Sequence, residues 1–397
     1  MRIHDVAVPN DWDRKGLPGW AYHSPALLEL EREHVFRRHW QIAGHVSDVP
    51  EPGDYLTMDV VGERALVVRG QDGVVRAFHN ICRHRGSRVV ADDKGHCKNA
   101  LVCPFHGWVY NLDGTLRGAA RPRSFPELDK TEFGLKPLDL EIWMGFIFIR
   151  FRAGDQPSVA EIMKPVEAEI ANYGLADMLP TGGISTTELP VNWKSVRDVD
   201  NEGYHVAMAH PALQDLYGST YFDEPFVNGL SRSFATYNPH AGRRWSVRNY
   251  VRIAPEADHL PPHLRKAWIY YGMFPNNVLT IMPESVQFYQ EFPIAPDRTV
   301  LRGAMYRYAD EDRRTKAARY LALRIDRDTA SEDQQLSIWS NESMLSKAFE
   351  GFYLSDLEYG VRTHHDHLRR VVPVLGLEKA PNETEMKTLN SALLSQA

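Results

Sequence analysis

The sequence predicts an α+β fold in two unequal parts. Three observations predict it: short strand-like runs between residues 40 and 155, a mixed helix and strand pattern beyond them, and three cysteines confined to positions 82 to 103. At 397 residues the chain exceeds the usual span of one hydrophobic core, so two domains, or one with a large insertion, are expected. With 43% hydrophobic and 25% charged residues, it has enough apolar content to fold throughout. A net charge of −6 supplies no long-range attraction to phosphates, so nucleic acid is not the expected partner. No stretch approaches the roughly 18 apolar residues of a membrane span, and Met1 to Trp20 lacks an apolar signal core. A cytoplasmic protein with no membrane partner is expected.

The elements follow in order. Ser24 to Trp40 reads as a helix with Leu27, Leu28, Leu30, Val35 and Phe36 on one stripe, so residues 1–39 form a helical lead-in expected to pack on the later domain. Residues 40–155 form a small all-β unit of hairpins: Tyr55 to Met58, Ala65 to Val68, the turn Asp72-Gly73, Val74 to Phe78, Trp108 to Tyr110, and Phe146 to Ile149. Residues 156–397 form an α+β domain. It holds helices at Val159 to Tyr173 and Trp193 to His210, then strands at Ile184 to Leu189, Tyr270 to Phe274, Val278 to Met282, Ser285 to Phe292 and Thr299 to Tyr308. Two more helices, Lys316 to Arg327 and Asp333 to Phe349, follow these strands.

Two Cys-His pairs stand out, Cys82-Arg83-His84 and Cys103-Pro104-Phe105-His106, separated by 18 residues. Each follows a strand, so two loops at one end of the β unit can converge on metal. Two thiolates and two imidazoles suit tetrahedral zinc, or a [2Fe-2S] cluster with cysteines on one iron and histidines on the other. Zinc modules usually pair Cys with Cys and His with His, whereas here each loop carries one of each.

With Arg85-Gly86, Pro104 and Gly107-Trp108 around it, the motif resembles the Rieske domain over about residues 40 to 120. The resemblance makes Cys82, His84, Cys103 and His106 the cluster ligands. The spacer is slightly longer than is common, with the extra residue placed in the polar loop Asp92 to His96, and Cys97 matches no ligand position. The chain lacks the additional cysteine pair of respiratory Rieske proteins, which leaves oxygenase-type and ferredoxin-type domains. A ferredoxin would leave everything beyond residue 155 unexplained.

Within that remainder lie Glu202-Gly203-Tyr204-His205 and His210-Pro211. On a regular helix His205 sits roughly 60° from Glu202 and roughly 140° from His210, so the two histidines meet one metal only if the helix is distorted or ends. Pro211 disfavours helix at the preceding residue. The string resembles the mononuclear iron motif of Rieske oxygenases, which makes His205 and His210 iron ligands. A facial triad needs one carboxylate more. The Ser331 to Gln335 and Ser355 to Val361 segments resemble the family's C-terminal region and point to Asp333, with Asp328 and Glu332 as rivals. His364-His365-Asp366-His367 matches no ligand position and reads as a polar surface patch.

The resemblance further implies that Glu202, three residues before His205, links that histidine to His106 of a neighbouring subunit. Asp is commoner at this position. Glutamate resembles the branch acting on quaternary ammonium compounds, although that branch often has Cys where this chain has Gly203, and Arg197-Asp198 replaces the common Glu-Asn. The implied protein is the terminal oxygenase of a multicomponent system, with a Rieske [2Fe-2S] domain and a helix-grip catalytic domain around an antiparallel sheet. Its cofactors are the cluster and mononuclear Fe(II), and its co-substrate is O2. An NAD(P)H-dependent reductase, with or without a ferredoxin, supplies electrons to a homotrimer. Monooxygenation of a small organic substrate, ending in dealkylation or C–N cleavage, is favoured. Cis-dihydroxylation of an aryl carboxylate is the alternative, and an electron carrier with a non-catalytic binding domain the remote one. Phe274-Pro275-Asn276 and Phe288-Tyr289 suit a pocket lining or sheet core equally.

Overall fold

In the computed structural model, residues 7–154, 156–238, 240 and 242–396 are described. The first six residues of the expected lead-in, Asp155 and Ala397 lie outside this set. Two compact units result, one spanning Arg37–Val159, the other uniting the described residues up to Phe36 with those from Ala160 onward. Among the described residues no helix is long and apolar enough to cross a membrane.

The smaller unit contains three antiparallel sheets. One orders the strands Val75–His79, Glu63–Arg69, Asp54–Val60 and Lys94–His96; a second orders Leu101–Val102, Val109–Tyr110 and Leu116–Gly118. The third places Phe146–Arg150 between Gln41–His45 and Asp139–Trp143. Leu66, Val68, Phe78, Leu101, Trp108 and Tyr110 share one core with Cys82 and Cys103. The polar spacer expected as a loop is partly an edge strand. Lys94–His96 pairs with Asp54–Leu56, and His96 Nδ1 meets Asp54 Oδ1 at 2.9 Å, because an exposed edge accepts polar side chains.

The larger unit is built on one antiparallel sheet. Its order is Leu179–Pro180, Arg298–Arg307, Ser285–Ala295, Asn277–Met282, Ala267–Met273, Leu230–Thr236 and Phe222–Val227, with Ser185–Leu189 also paired to Arg298–Arg307. The last two strands of this order escaped the sequence reading. Their turn, Asn228-Gly229, has positive φ at both residues (52° and 83°) and joins the paired residues Val227 and Leu230. That dipeptide is a strong hairpin signal.

The helices differ most from expectation. The Ser24 to Trp40 run is an α-helix only over Pro25–Glu31 and continues as a π-helical turn, Arg32–Phe36. Residues 159–173 break into short helical turns around Pro165. The two late helices are instead one, Arg313–Ser343, capped by Asp312, whose side chain accepts the Thr315 N–H at 2.7 Å. Its apolar period lapses midway because Leu323, Asp326, Ala330, Asp333 and Ser337, spaced at three and four residues, line a cavity instead of a core. Helix Tyr359–Val371 overturns the surface-patch reading, since His364 and His365 are fully buried. His365 Nε2 lies 2.7 Å from Asp198 Oδ1 and His364 Nε2 lies 3.0 Å from the Pro275 carbonyl. The Nε2 atom of each ring thereby has the partner that a buried polar group requires.

Candidate active site

In the smaller unit two loops repeat one backbone design. The Cys82 N–H donates to the Ser87 carbonyl and Gly86 N–H back to Cys82, at 2.7 and 3.0 Å; Cys103 N–H donates to Trp108 and Gly107 N–H to Cys103, at 2.8 and 3.0 Å. Gly86 and Gly107 sit at φ 74° and 67°, in the region that favours glycine. These turns bring His84 and His106 together with ring centroids 4.6 Å apart. Cys82 and Cys103 are buried, and Cys82 Sγ lies 3.3 Å from the Tyr110 hydroxyl. His84 stacks on Trp108, and its Nδ1 is buried without a hydrogen-bond partner. An orphaned imidazole nitrogen beside buried thiols is what a metal-ligating set presents. On one tetrahedral zinc, all four ligand atoms would lie within about 4 Å of each other. Yet among the described residues the one group with three or more ligand atoms mutually within 4.8 Å is His205, His210 and Asp333. The Cys-His loops therefore fit a two-iron cluster better than a single ion.

That second group is assembled by a broken helix. Helix Trp193–Asp200 starts at Asn192, whose side chain accepts the Lys194 N–H, and is held to the long helix by Asn341, which accepts from Asn192 N–H and Ser195 Oγ. The chain leaves helical geometry at Asn201, makes one turn over Val206–Ala209, and starts again at Pro211. His205 and His210 flank that single turn, and the break removes the angular conflict a regular helix would impose. Their Nε2 atoms are 3.0 Å apart, and Asp333 Oδ1 lies 3.4 Å from one and 2.8 Å from the other.

The far side of each ring identifies its proton. His205 Nδ1 meets Glu202 Oε1 at 2.5 Å, while Glu202 Oε2 accepts the His205 backbone N–H at 3.1 Å. His210 Nδ1 meets Glu332 Oε2 at 2.9 Å. A carboxylate only accepts, so both Nδ1 atoms carry hydrogen and both Nε2 atoms turn lone pairs toward each other. Asp333 Oδ1 is buried with no aligned donor. Three lone pairs facing inward make a site for positive charge. A proton can serve as that charge: burial opposes it on His205, but the carboxylates of Asp333 and Glu202 outweigh burial and push its pKa up to about 10. Neither rival carboxylate joins this group: Glu332 stands behind His210, and Asp328 is exposed.

The group opens on a cavity of about 450 Å³. Phe288 and Tyr289 line it, with Tyr270 and Tyr221, whereas Phe274, Pro275 and Asn276 do not. Phe274 packs on His364 and His367 instead. Sequence reading missed Tyr221, which donates to Asp223 at 2.6 Å; Asp223 also accepts the Gly203 N–H at 2.7 Å, steadying the chain just before His205.

The catalytic-domain model for ring-hydroxylating alpha subunits matches residues 176–373, and the Rieske [2Fe-2S] domain model matches residues 39–130. The chain belongs to the Rieske oxygenase alpha-subunit family. The two family domains bring with them a Rieske [2Fe-2S] cluster and a mononuclear iron as cofactors. Among curated relatives, a carnitine monooxygenase oxygenase subunit of Acinetobacter baumannii is 36% identical over 49% of this chain and 52% of its own length. A glycine betaine monooxygenase oxygenase subunit of Pseudomonas aeruginosa is 36% identical over 61% of this chain and 58% of its own. This chain thus spans only about half the length of these relatives. A solved quaternary ammonium Rieske monooxygenase aligns with TM-score 0.75 at 24% identity, covering 90% of this chain and 95% of that one. A naphthalene 1,2-dioxygenase aligns at 0.72 and 19% identity, over 99% and 100%. At such identities both alignments speak for the Rieske oxygenase fold alone.

Proposed function

We propose that this chain is the terminal oxygenase of a multicomponent Rieske monooxygenase acting on a quaternary ammonium substrate and ending in C–N cleavage. The observation that carries this reading is the convergence of His205, His210 and Asp333 on a cavity walled by Tyr270, Phe288 and Tyr289. Aromatic faces attract cations, and the relatives named above are carnitine and glycine betaine monooxygenase subunits.

Cys82, His84, Cys103 and His106 would hold the [2Fe-2S] cluster, and His205, His210 and Asp333 the Fe(II). When bound, the cluster supplies electrons and the iron activates O2. The chain's own residues orient and protect. Glu202 and Glu332 hold the His205 and His210 rings with their Nε2 atoms inward, and Tyr221 and Asp223 brace the backbone at Gly203. In a head-to-tail homotrimer, Glu202 would also bond His106 of the partner subunit and so join the two redox centres. An NAD(P)H-dependent reductase, alone or through a ferredoxin, would supply the cytoplasmic enzyme.

The test is O2 uptake with a reductase and NADH against quaternary ammonium compounds, aryl carboxylates and aryl ethers, with the product identified. Release of an aldehyde and a dealkylated amine supports the reading; a cis-diol from an aryl substrate overturns it. His205→Ala should lose mononuclear iron and product together, and full retention of both would remove the assigned site.

A further inference from the structure

We infer that the cavity beside His205, His210 and Asp333 accepts a substrate of net positive charge, with Asp326 as its counter-charge, and not a zwitterion carrying its own carboxylate. The inference rests on the quaternary ammonium reading and narrows it.

The charges lining the cavity carry the argument. Among the described residues there, five are carboxylates (Asp200, Glu202, Glu291, Asp326 and Asp333), one is a guanidinium (Arg197), and none is lysine. Glu202 and Asp333 are committed to the histidines. Arg197 is 2% exposed and already placed between Asp200, in close contact, and Glu291 at 3.5 Å. Its Nε is buried and has no hydrogen-bond partner among the described residues. Asp200 also accepts the Tyr289 hydroxyl at 2.7 Å. Apart from the Fe(II) that the triad would hold, a substrate carboxylate would therefore lose its water and find no free cation, beside carboxylates that outnumber the one guanidinium.

Asp326 is the carboxylate left over. Among the described residues its one hydrogen-bond donor is neutral, Gln287 Nε2 at 3.0 Å, and no cation pairs with it. Burial pushes its pKa up to about 6, with the Gln287 bond opposing, and a cation beside it would favour the ionised form. It stands two helical turns before Asp333, about 10 Å along the axis. A trimethylammonium group in contact with Asp326 would share one cavity with the triad. Tyr270, Phe288 and Tyr289 line the same cavity.

Titration calorimetry on the holoenzyme tests this with choline, glycine betaine and the neutral carbon isostere of choline. Choline should bind at least about tenfold more tightly than either of the others. In Asp326→Asn the advantage over the isostere should largely close. Glycine betaine binding as well as choline overturns the inference while leaving the quaternary ammonium reading intact. The isostere binding as well as choline overturns both. An unchanged choline advantage in folded Asp326→Asn removes Asp326 from the role. The wild-type comparison decides the charge question even if that variant does not fold.

Discussion

His205 and His210 face each other through their Nε2 atoms at 3.0 Å, each with its far nitrogen against a carboxylate, Glu202 for one and Glu332 for the other. Two lone pairs so close repel unless a cation lies between them, and Asp333 Oδ1 completes that inward-facing set. Several expectations rest on this relationship.

Asp333 is the carboxylate that meets both imidazoles, and Asp328 is exposed. Asp333→Ala should weaken binding of the mononuclear iron by at least about tenfold, while Asp328→Ala leaves it unchanged. Iron content measured against a competing chelator decides, with the visible cluster spectrum as an internal control. Loss of iron in Asp328→Ala alone would reverse the assignment.

Glu332 lies behind His210 and positions it. Removing this acceptor frees the ring to rotate, so Glu332→Ala should lower iron affinity by about 10-fold to 100-fold, and Glu332→Gln, which keeps an acceptor, by less. Equal losses in the two variants would mean that charge, not orientation, matters there.

Glu202→Gln keeps the shape of the acceptor but removes its charge. We expect an unaltered visible spectrum and a strongly reduced product yield in single turnover from the pre-reduced enzyme. A normal yield would show that Glu202 is not needed between the two centres.

A Cβ on Gly203 would stand 1.9 Å from Tyr221 Cε1, so Gly203→Cys cannot be accommodated while that ring stays on Asp223. Overpacking of this kind costs about 1–3 kcal/mol. Thermal unfolding should show the loss, and truncating the ring in a Gly203→Cys, Tyr221→Val double variant should recover part of it. No recovery would place the strain elsewhere.

Glu284 is fully buried beside the Tyr250 hydroxyl, and burial raises its pKa from 4.5 to about 7. Between those values the native state keeps a proton that the unfolded chain has released, so stability falls as pH rises from about 4.5 to about 7 and then levels off. Glu284→Gln cannot titrate. Its melting temperature relative to wild type should rise between pH 5 and pH 8, reflecting up to about 3 kcal/mol. A constant difference across that range would refute the buried charge.

The sequence by itself determined the fold class and suggested the two metal-binding motifs. Cys82 to His106 and His205 to His210 are short-range patterns that carry the family resemblance, and Pro211 disfavoured helix at His210. Strand periods were legible wherever alternation met a buried face. What only the tertiary structure decided is what residues far apart in sequence do to each other. Asp333 was favoured over Asp328 and Glu332 by resemblance alone until the long helix placed its carboxylate against both His205 and His210. Helix Arg313–Ser343 looked interrupted because its cavity-facing positions carry polar residues that a core-facing stripe would not. His364 and His365 looked exposed because burial of an imidazole depends on a carbonyl or carboxylate delivered from elsewhere, here by Pro275 and Asp198. Arg197 and Asp326 are equally silent in sequence, since a charge becomes satisfied or left over only when the fold has chosen its neighbours.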